Sequence, residues 1–444
     1  MKQLTFLFIF YLLATTQAFA QDAIVTMTTT EETVKIYVRW TGAGSIFANG
    51  VELVNDFDMK NTITATANGS VVLTATDGAQ LTNLICYNNS LSALDIIECP
   101  SLIELACWNN SLTALDVTQC PKLKYLHCDD NSLTDLNLTN CPELEQLYCQ
   151  FNLLTDLNLT NCPMLTKLYC RFNSLSTLNV TNCMELKELE CFGNSLTNLD
   201  VTTCLRLTKL YCNSNSLTSL DVSNCTELTT LECGHNSLTT LDVTKCPKLK
   251  VIDCGNNPLF ALDVTNCPEL TRLSCGHNSL AALDIANNTE LEMLFCPFNS
   301  LLTLDVTKCP KLWSLICSFN SLTVLDVTQC PKLTMLLCDH NYLSGLDITN
   351  CPELRELSAN RQTLALPATV LEGAKLSIKN PVTFAGAKVW IYNISHKGKS
   401  VGNTITWKVK DESGELTFNF IVESPDGVIG DPFSGIVKQP WTRN

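Results

Sequence analysis

The chain has 444 residues, 45% of them apolar and 16% charged, and acids outnumber bases 44 to 29 for a formal net charge of −15. An acidic chain lacks the concentrated Lys and Arg that phosphate backbones require, which excludes a nucleic-acid role. A charged fraction well below the roughly 25% of ordinary soluble domains excludes charge-driven disorder. The 25 cysteines are odd in number and too dilute for a small disulfide scaffold, so they cannot all pair within one chain.

The first element is a segment for export. Lys2 opens it, Leu4 to Leu13 form an apolar run, and Ala18-Phe19-Ala20 has the small-x-small form of a cleavage site. Residues 1–20 therefore read as a signal peptide, and the mature chain is expected to start at Gln21. The run is shorter than the roughly 20 residues that cross a bilayer, and no later stretch reaches that length. No cysteine follows it to carry a lipid anchor. Leu366-Pro367-Ala368-Thr369 has the form of a wall-sorting string without the apolar segment and basic tail that should follow. The expected location is secreted or at the cell surface, with the periplasm also open, and with no membrane span.

Residues 21–80 form a β-rich cap. Alternation in Val34-Lys35-Ile36-Tyr37-Val38-Arg39-Trp40 and in Thr62-Ile63-Thr64-Ala65-Thr66-Ala67 predicts strands. Such strands would seal a solenoid end that otherwise exposes its core.

From Leu81 through Glu353 the sequence repeats every 21 residues, without insertion or deletion, for 13 units. A typical unit has Leu312 at position 1, Leu315 at 4, Cys317 at 6, Asn320 at 9 and Leu322 at 11. Leu325, Asp326 and Val327 follow at 14 to 16, then Cys330 at 19 and Pro331 at 20. This is the leucine-rich-repeat pattern with cysteine in place of one leucine. Positions 3 to 7 are predicted to form a short strand with 4 and 6 inward and 3, 5 and 7 outward, pairing in parallel with its neighbours. Positions 14 to 16 predict a second extended segment on the convex side. The Asn column at position 9, from Asn89 to Asn341, is expected to satisfy backbone groups of its own and neighbouring turns.

Cysteine holds position 6 in 13 units, from Cys86 to Cys338, and position 19 in 12, from Cys99 to Cys351, with Asn288 as the exception. Metal binding needs convergent ligands rather than a line. Disulfides along a column would have to close the ~4.8 Å strand spacing to a Cβ separation of about 3.8 Å. Packing as small buried residues fits the pattern best, with disulfides and metal as the alternatives.

The run LxCxxNxLxxLDVTxCP resembles the cysteine-ladder variety of internalin-like repeats of secreted bacterial proteins. The segment Ile24-Val25-Thr26-Met27-Thr28-Thr29-Thr30 and the C-terminal tail resemble the flanks of Bacteroidetes surface proteins. The resemblance covers residues 81–366 and implies a leucine-rich-repeat solenoid that binds other proteins, host proteins among them, rather than a catalyst. The second cysteine column and the missing sorting tail depart from the family pattern.

After Leu354 and Leu357 the repeat decays, with Ala359 at position 6 and Gln362 at position 9. The solenoid is expected to span residues 81–366 and an Ig-like β module residues 367–444. In that module Val389-Trp390-Ile391-Tyr392, Thr404 to Val409 and Leu416 to Ile421 alternate as strands. Turn signals at Asp411-Glu412-Ser413-Gly414 and Asp426-Gly427 punctuate it.

No catalytic constellation and no phosphate-binding glycine loop appears, and no cofactor or metal is expected. The histidines are His127, His235, His277, His340 and His396; three of them fall at position 8 and read as solvated edge residues. Outward aromatics are the informative feature. Position 5 carries Tyr148, Tyr169, Tyr211 and Phe295, and position 7 carries Tyr87, Trp108 and Phe192. Position 8 carries Phe151, Phe172, Phe298 and Phe319, while Trp313 and Tyr125 stand at positions 2 and 3. They suggest an interaction face; stacking along the ladder for stability is the alternative. Position 15 carries Asp in ten units and Asn137, Asn158 and Asn179 in three, either as acceptors for turn N–H groups or as calcium ligands. The expected function is non-catalytic protein recognition or adhesion through the concave face, with glycan binding as the alternative.

Overall fold

The computed structural model describes residues 23–55, 61–76, 78–348 and 350–365, and beyond them the strands between Thr369 and Arg443. The signal-like residues 1–20, Leu366-Pro367-Ala368, His396, and the turns at Asp411-Glu412 and Asp426-Gly427 lie outside the described residues. The chain folds as two compact units, residues 1–225 and 226–444.

The first unit opens with β1 (Ala23–Thr29), β2 (Thr33–Thr41), β3 (Ile46–Ala48), β4 (Val51–Glu52), β5 (Asn61–Thr64) and β6 (Ser70–Ala75). Strict alternation in β2 buries Val34, Ile36, Val38 and Trp40 while Lys35 and Arg39 face water. The first repeat supplies β7 (Gln80–Ile85) and, on the convex side, β8 (Leu91–Ile96). Antiparallel pairing joins β2 to β7 and β1 to β8. The cap thus continues both sides of the first turn and covers its open end, as a solenoid terminus requires.

Parallel rungs follow: β9 (Glu104–Ala106), β10 (Tyr125–His127), β11 (Gln146–Tyr148), β12 (Lys167–Tyr169), β13 (Glu188–Glu190) and β14 (Lys209–Tyr211). They pair without slippage, so each residue sits beside the one 21 places on, as Leu126 beside Leu147. The second unit repeats the plan through β15 (Thr230–Glu232), β16 (Val251–Asp253), β17 (Arg272–Ser274), β18 (Met293–Phe295), β19 (Ser314–Ile316) and β20 (Met335–Leu337). It then adds β21 (Gly345–Leu346) and β22 (Glu356–Ser358). Beyond Gln362 the strands fall into one sheet containing Val389–Tyr392, Ser413–Val422 and Ser434–Arg443 and another containing Lys375–Lys379, Lys399–Val401 and Thr404–Lys408. Among the described residues there is no helix. This is a leucine-rich-repeat solenoid.

One turn shows what holds the fold. Leu102, Leu105, Cys107, Leu112, Leu115, Val117 and Cys120 are all buried, and later turns bury equivalent residues, with Asn288 in place of one position-19 cysteine. Asn131 at position 9 donates through Nδ2 to the carbonyls of Cys107, Cys128 and Asp129, and its Oδ1 accepts from the N–H of Leu112. One amide therefore ties its own turn to the preceding one, as the sequence predicts.

Two expectations need correction. The rung is three residues, positions 3 to 5, not five. Backbone pairing does continue past it, with the N–H of Cys107 donating to the carbonyl of His127 and that of Asn109 to Asp129. A left-handed residue at position 8 bends the chain away and ends the regular strand. Nor does the repeat decay at its last turn: Gln362 is fully buried, donates to the carbonyls of Cys338, Ala359 and Asn360, and accepts from the N–H of Leu343. Its longer amide makes the same four bonds as the asparagines.

Candidate binding face

Position 8 is left-handed in every turn, with φ between 50° and 66° from Asn88 to Arg361. Asn and Gly adopt this region readily; a phenylalanine there is an outlier that costs roughly 1–2 kcal/mol. Phe151, Phe172, Phe298 and Phe319 all accept that cost, and stacking offsets it, since aromatic pairs contribute about 0.5–1.5 kcal/mol beyond burial.

In the first unit Phe151 stacks on Phe172 with ring centroids 4.9 Å apart, and Phe172 meets Phe192 edge-on at 5.1 Å. Gly193 at position 8 of the next turn leaves room for this: a Cβ there would lie 2.8 Å from the Phe172 ring. One row over, His127 stacks on Tyr148 at 4.2 Å and Tyr148 meets Tyr169 edge-on at 4.7 Å. Tyr87 and Trp108 form a separate stack at 4.3 Å. Tyr125 and Tyr211 are part-buried; the Tyr125 hydroxyl donates to Glu145 at 3.4 Å.

In the second unit four rings form one column. His277, Phe298, Phe319 and His340 stack at 4.3, 4.1 and 3.9 Å. Phe298 and Phe319 nevertheless remain 43% and 39% exposed, so stacking covers their faces and leaves their edges to solvent. Phe295 is also exposed; a Cβ on Gly276 would stand 2.9 Å from its ring. Trp313 is exposed and stacks on no ring among the described residues. From sequence, the phenylalanines of this column fall on the interaction face but its histidines read as solvated edge residues; their shared repeat position with Phe298 and Phe319 is the signal that joins them.

Polar groups line the same face. Glu188 lies between Lys209 at 3.4 Å and Lys167 at 4.0 Å and accepts from the Tyr169 hydroxyl at 2.5 Å. Arg171 pairs with Glu190 and lies over the Phe151 and Phe192 rings at 5.6 and 5.4 Å. Burial, with Glu188 and its hydrogen bond, raises the Tyr169 phenol well above its usual range. Burial lowers the His127 imidazole against the opposing pull of Glu104.

The two remaining columns have structural chemistry. All 25 cysteines are buried free thiols. Burial pushes Cys86 and Cys317 up to about 12, and Cys204 to about 11. Position 19 does more than fill space: the thiols of Cys141, Cys204 and Cys330 reach the position-16 carbonyl one turn back at 3.8, 3.8 and 3.6 Å. Asn288 occupies the same place with stronger donors, bonding Val264 at 3.0 Å and Cys267 at 2.8 Å. On the convex side Asp200 Oδ1 accepts from the N–H and hydroxyl of Thr202, which holds its carboxyl below the usual range. Asn137 accepts from Thr139 in the same way, so the acceptor reading accounts for the Asp/Asn exchange. Among the described residues no group of three or more His, Cys, Asp or Glu is placed to hold a metal ion.

No protein-family profile and no curated protein matches the chain. Solved structures do. The functional domain of InlJ from Listeria monocytogenes, which includes a cysteine ladder, shares 30% identity over 83% of this chain and 93% of its own, with a TM-score of 0.62. The internalin InlF of the same organism shares 23% identity, 62% and 84% coverage and a TM-score of 0.56. The leucine-rich-repeat ectodomain of the Arabidopsis thaliana receptor kinase GASSHO1/SCHENGEN3, in complex with Casparian strip integrity factor 2, shares 25% identity, 61% and 39% coverage and a TM-score of 0.50. With its registered repeats and buried thiol columns, and with 30% identity to a cysteine-ladder internalin across 93% of that domain's length, this chain belongs to the internalin-like leucine-rich-repeat family.

Proposed function

We propose that this chain is an exported, non-catalytic binding protein whose concave face recognises another protein in adhesion or host contact. The observation that carries the reading is the set of exposed rings held at strained backbone positions. Four phenylalanines occupy left-handed sites that Asn, Gly or other polar residues fill elsewhere in the same column, although the leucine and cysteine core needs none of them. Strain retained where folding does not require it points to function. The receptor ectodomain seen with its factor supports protein recognition by this architecture.

Protein is favoured over glycan by the geometry of the rings. A sugar stacks on a free aromatic face, and in the His277–His340 column the inner faces are covered by one another. Exposed edges suit apolar side chains. Trp313, with no ring against it among the described residues, is the feature that favours a glycan, and a glycan array run beside a pull-down from host-cell surfaces separates the two.

Replacement of Tyr148, Phe151, Tyr169 and Phe172 by Ala tests the reading against the partner so found. Affinity should fall by about 2 kcal/mol or more, roughly 30-fold, as for a hot spot, while the far-ultraviolet spectrum stays unchanged. Lost stacking should cost about 1–3 kcal/mol of stability. Unchanged affinity would remove this patch from the site.

A further inference from the structure

We propose that Asp129 and Gln150, on adjacent turns of the first unit, form a receptor for the guanidinium of an arginine side chain on the partner protein. The inference rests on the protein-recognition reading and names the chemistry of one contact within it.

The backbone sets the two residues side by side. The N–H of Cys128 donates to the carbonyl of Tyr148 at 2.9 Å and that of Asp130 to the carbonyl of Gln150 at 3.0 Å, so position 7 of one turn faces position 7 of the next. Arg171, also at position 7, reaches Glu190 at position 5 and Phe151 at position 8, which places the column between the two aromatic rows.

Both side chains have acceptor capacity to spare: the Asp129 carboxyl is met by its own backbone N–H, and Gln150 Oε1 has no donor among the described residues. Among the described residues Asp129 has no ion pair and no hydrogen bond from another side chain, whereas Glu188 and Glu190 on the same face are each paired with a cation. Gln150 is only 8% exposed, and its Oε1 is enclosed without a donor. Leaving such an oxygen unpaired costs about 1–3 kcal/mol, so it should have a partner in the functional state. Receiving a guanidinium requires the terminal amide of Gln150 to rotate about its soft last torsion so that Oε1 turns toward the face.

The missing partner must supply several N–H donors and a positive charge. A guanidinium offers five donors in a planar fork that can span two acceptors on neighbouring turns, about 5 Å apart, whereas an ammonium concentrates three at one point. Tyr148 and Phe151, on Gln150's own turn, provide rings for a planar cation to lie against, as Arg171 already does with Phe151. The surrounding field is acidic: Glu188, Glu190 and Asp129 all raise the Tyr148 phenol after burial.

Loading should also depend on pH. Burial pushes the Asp129 carboxyl up to about 6; Asp130 adds to the rise, while its own backbone N–H and Arg171 oppose it. The other titratable groups that feel its charge are Tyr148 and the thiols of Cys107, Cys128 and Cys149. The thiols stay protonated throughout the range in which Asp129 titrates. The receptor is therefore charged above pH 6 and neutral below it.

The test is saturation-transfer NMR on the full chain with N-acetylarginine amide, against its neutral citrulline counterpart and N-acetyllysine amide. At pH 7.5 the arginine probe should give transfer at least threefold above both controls. That signal should fall at least threefold at pH 5, in Asp129→Asn and in Gln150→Leu, and hold in Asp200→Asn on the convex side. Asp129→Asn removes a part-buried charge, so its melting temperature should not drop, and it decides the matter should Gln150→Leu misfold. Equal transfer in Asp129→Asn, or from the citrulline or lysine probe, would overturn the assignment. Should that happen while the four-alanine variant still loses its partner, the arginine receptor falls and protein recognition stands.

Discussion

Cysteine plays two roles that its uniform burial hides. At position 6 the thiol is a compact apolar filler, as Cys128 is between the leucines of its turn. At position 19 it is also a weak donor, as Cys204 is toward the carbonyls of Val180 at 3.8 Å and Cys183 at 3.9 Å. Serine should tell them apart. Cys128→Ser should lose about 1–3 kcal/mol, because its hydroxyl enters an apolar site without a partner. Cys204→Ser should lose less than about 1 kcal/mol, because an acceptor already faces it. Urea unfolding measures both, and equal losses would remove the hydrogen-bonding role at position 19.

The unit of cohesion at the next scale is the junction between turns. Three residues of strand are too few to hold a rung alone, and the asparagine column makes up the difference. Asn320 donates to Cys296 and Cys317 at 3.0 Å and accepts from the N–H of Leu301 at 3.0 Å. Alanine there strands the buried N–H of Leu301 and several carbonyls, and should cost about 3 kcal/mol or more. Asp326 in the same turn bonds Thr328 on the exposed side, so its alanine variant should lose about 0.5 kcal/mol, the low end for a solvent-exposed hydrogen bond. Comparable chemical-denaturation losses at the two sites would mean that the inner ladder carries no special share of the stability.

For the molecule as a whole, 25 free thiols persist under oxidising conditions only if folding hides them. With every cysteine buried, and burial pushing thiols such as Cys86 up to about 12 and Cys204 up to about 11, the thiolate that reacts is scarce at neutral pH. Native protein should react with few equivalents of a thiol reagent and denatured protein with close to 25. A denatured count far below that, in protein taken from its own compartment, would show that the columns are oxidised there. Among the described residues no helix is long and apolar enough to cross a membrane.

Much of this was written in the period of the sequence. A 21-residue repeat places equivalent residues on neighbouring turns, so the inward leucines, both cysteine columns, the convex alternation and the bridging asparagines were all deducible from one unit. Residue type could not reveal the left-handed backbone at position 8, because phenylalanine and histidine do not signal it as glycine would. The ring columns of His277 to His340 and Phe151 to Phe172 were therefore decided by tertiary structure. So was the persistence of the ladder at Gln362, where side-chain reach, not identity, satisfies the same four bonds. The acceptors at Asp129 and Gln150 belong to the same class: periodicity put them on adjacent turns, but only the packed arrangement shows that, among the described residues, Asp129 has no cation paired to it and Gln150 Oε1 no donor. Periodicity specifies position, whereas hydrogen-bond satisfaction depends on everything that packs around it.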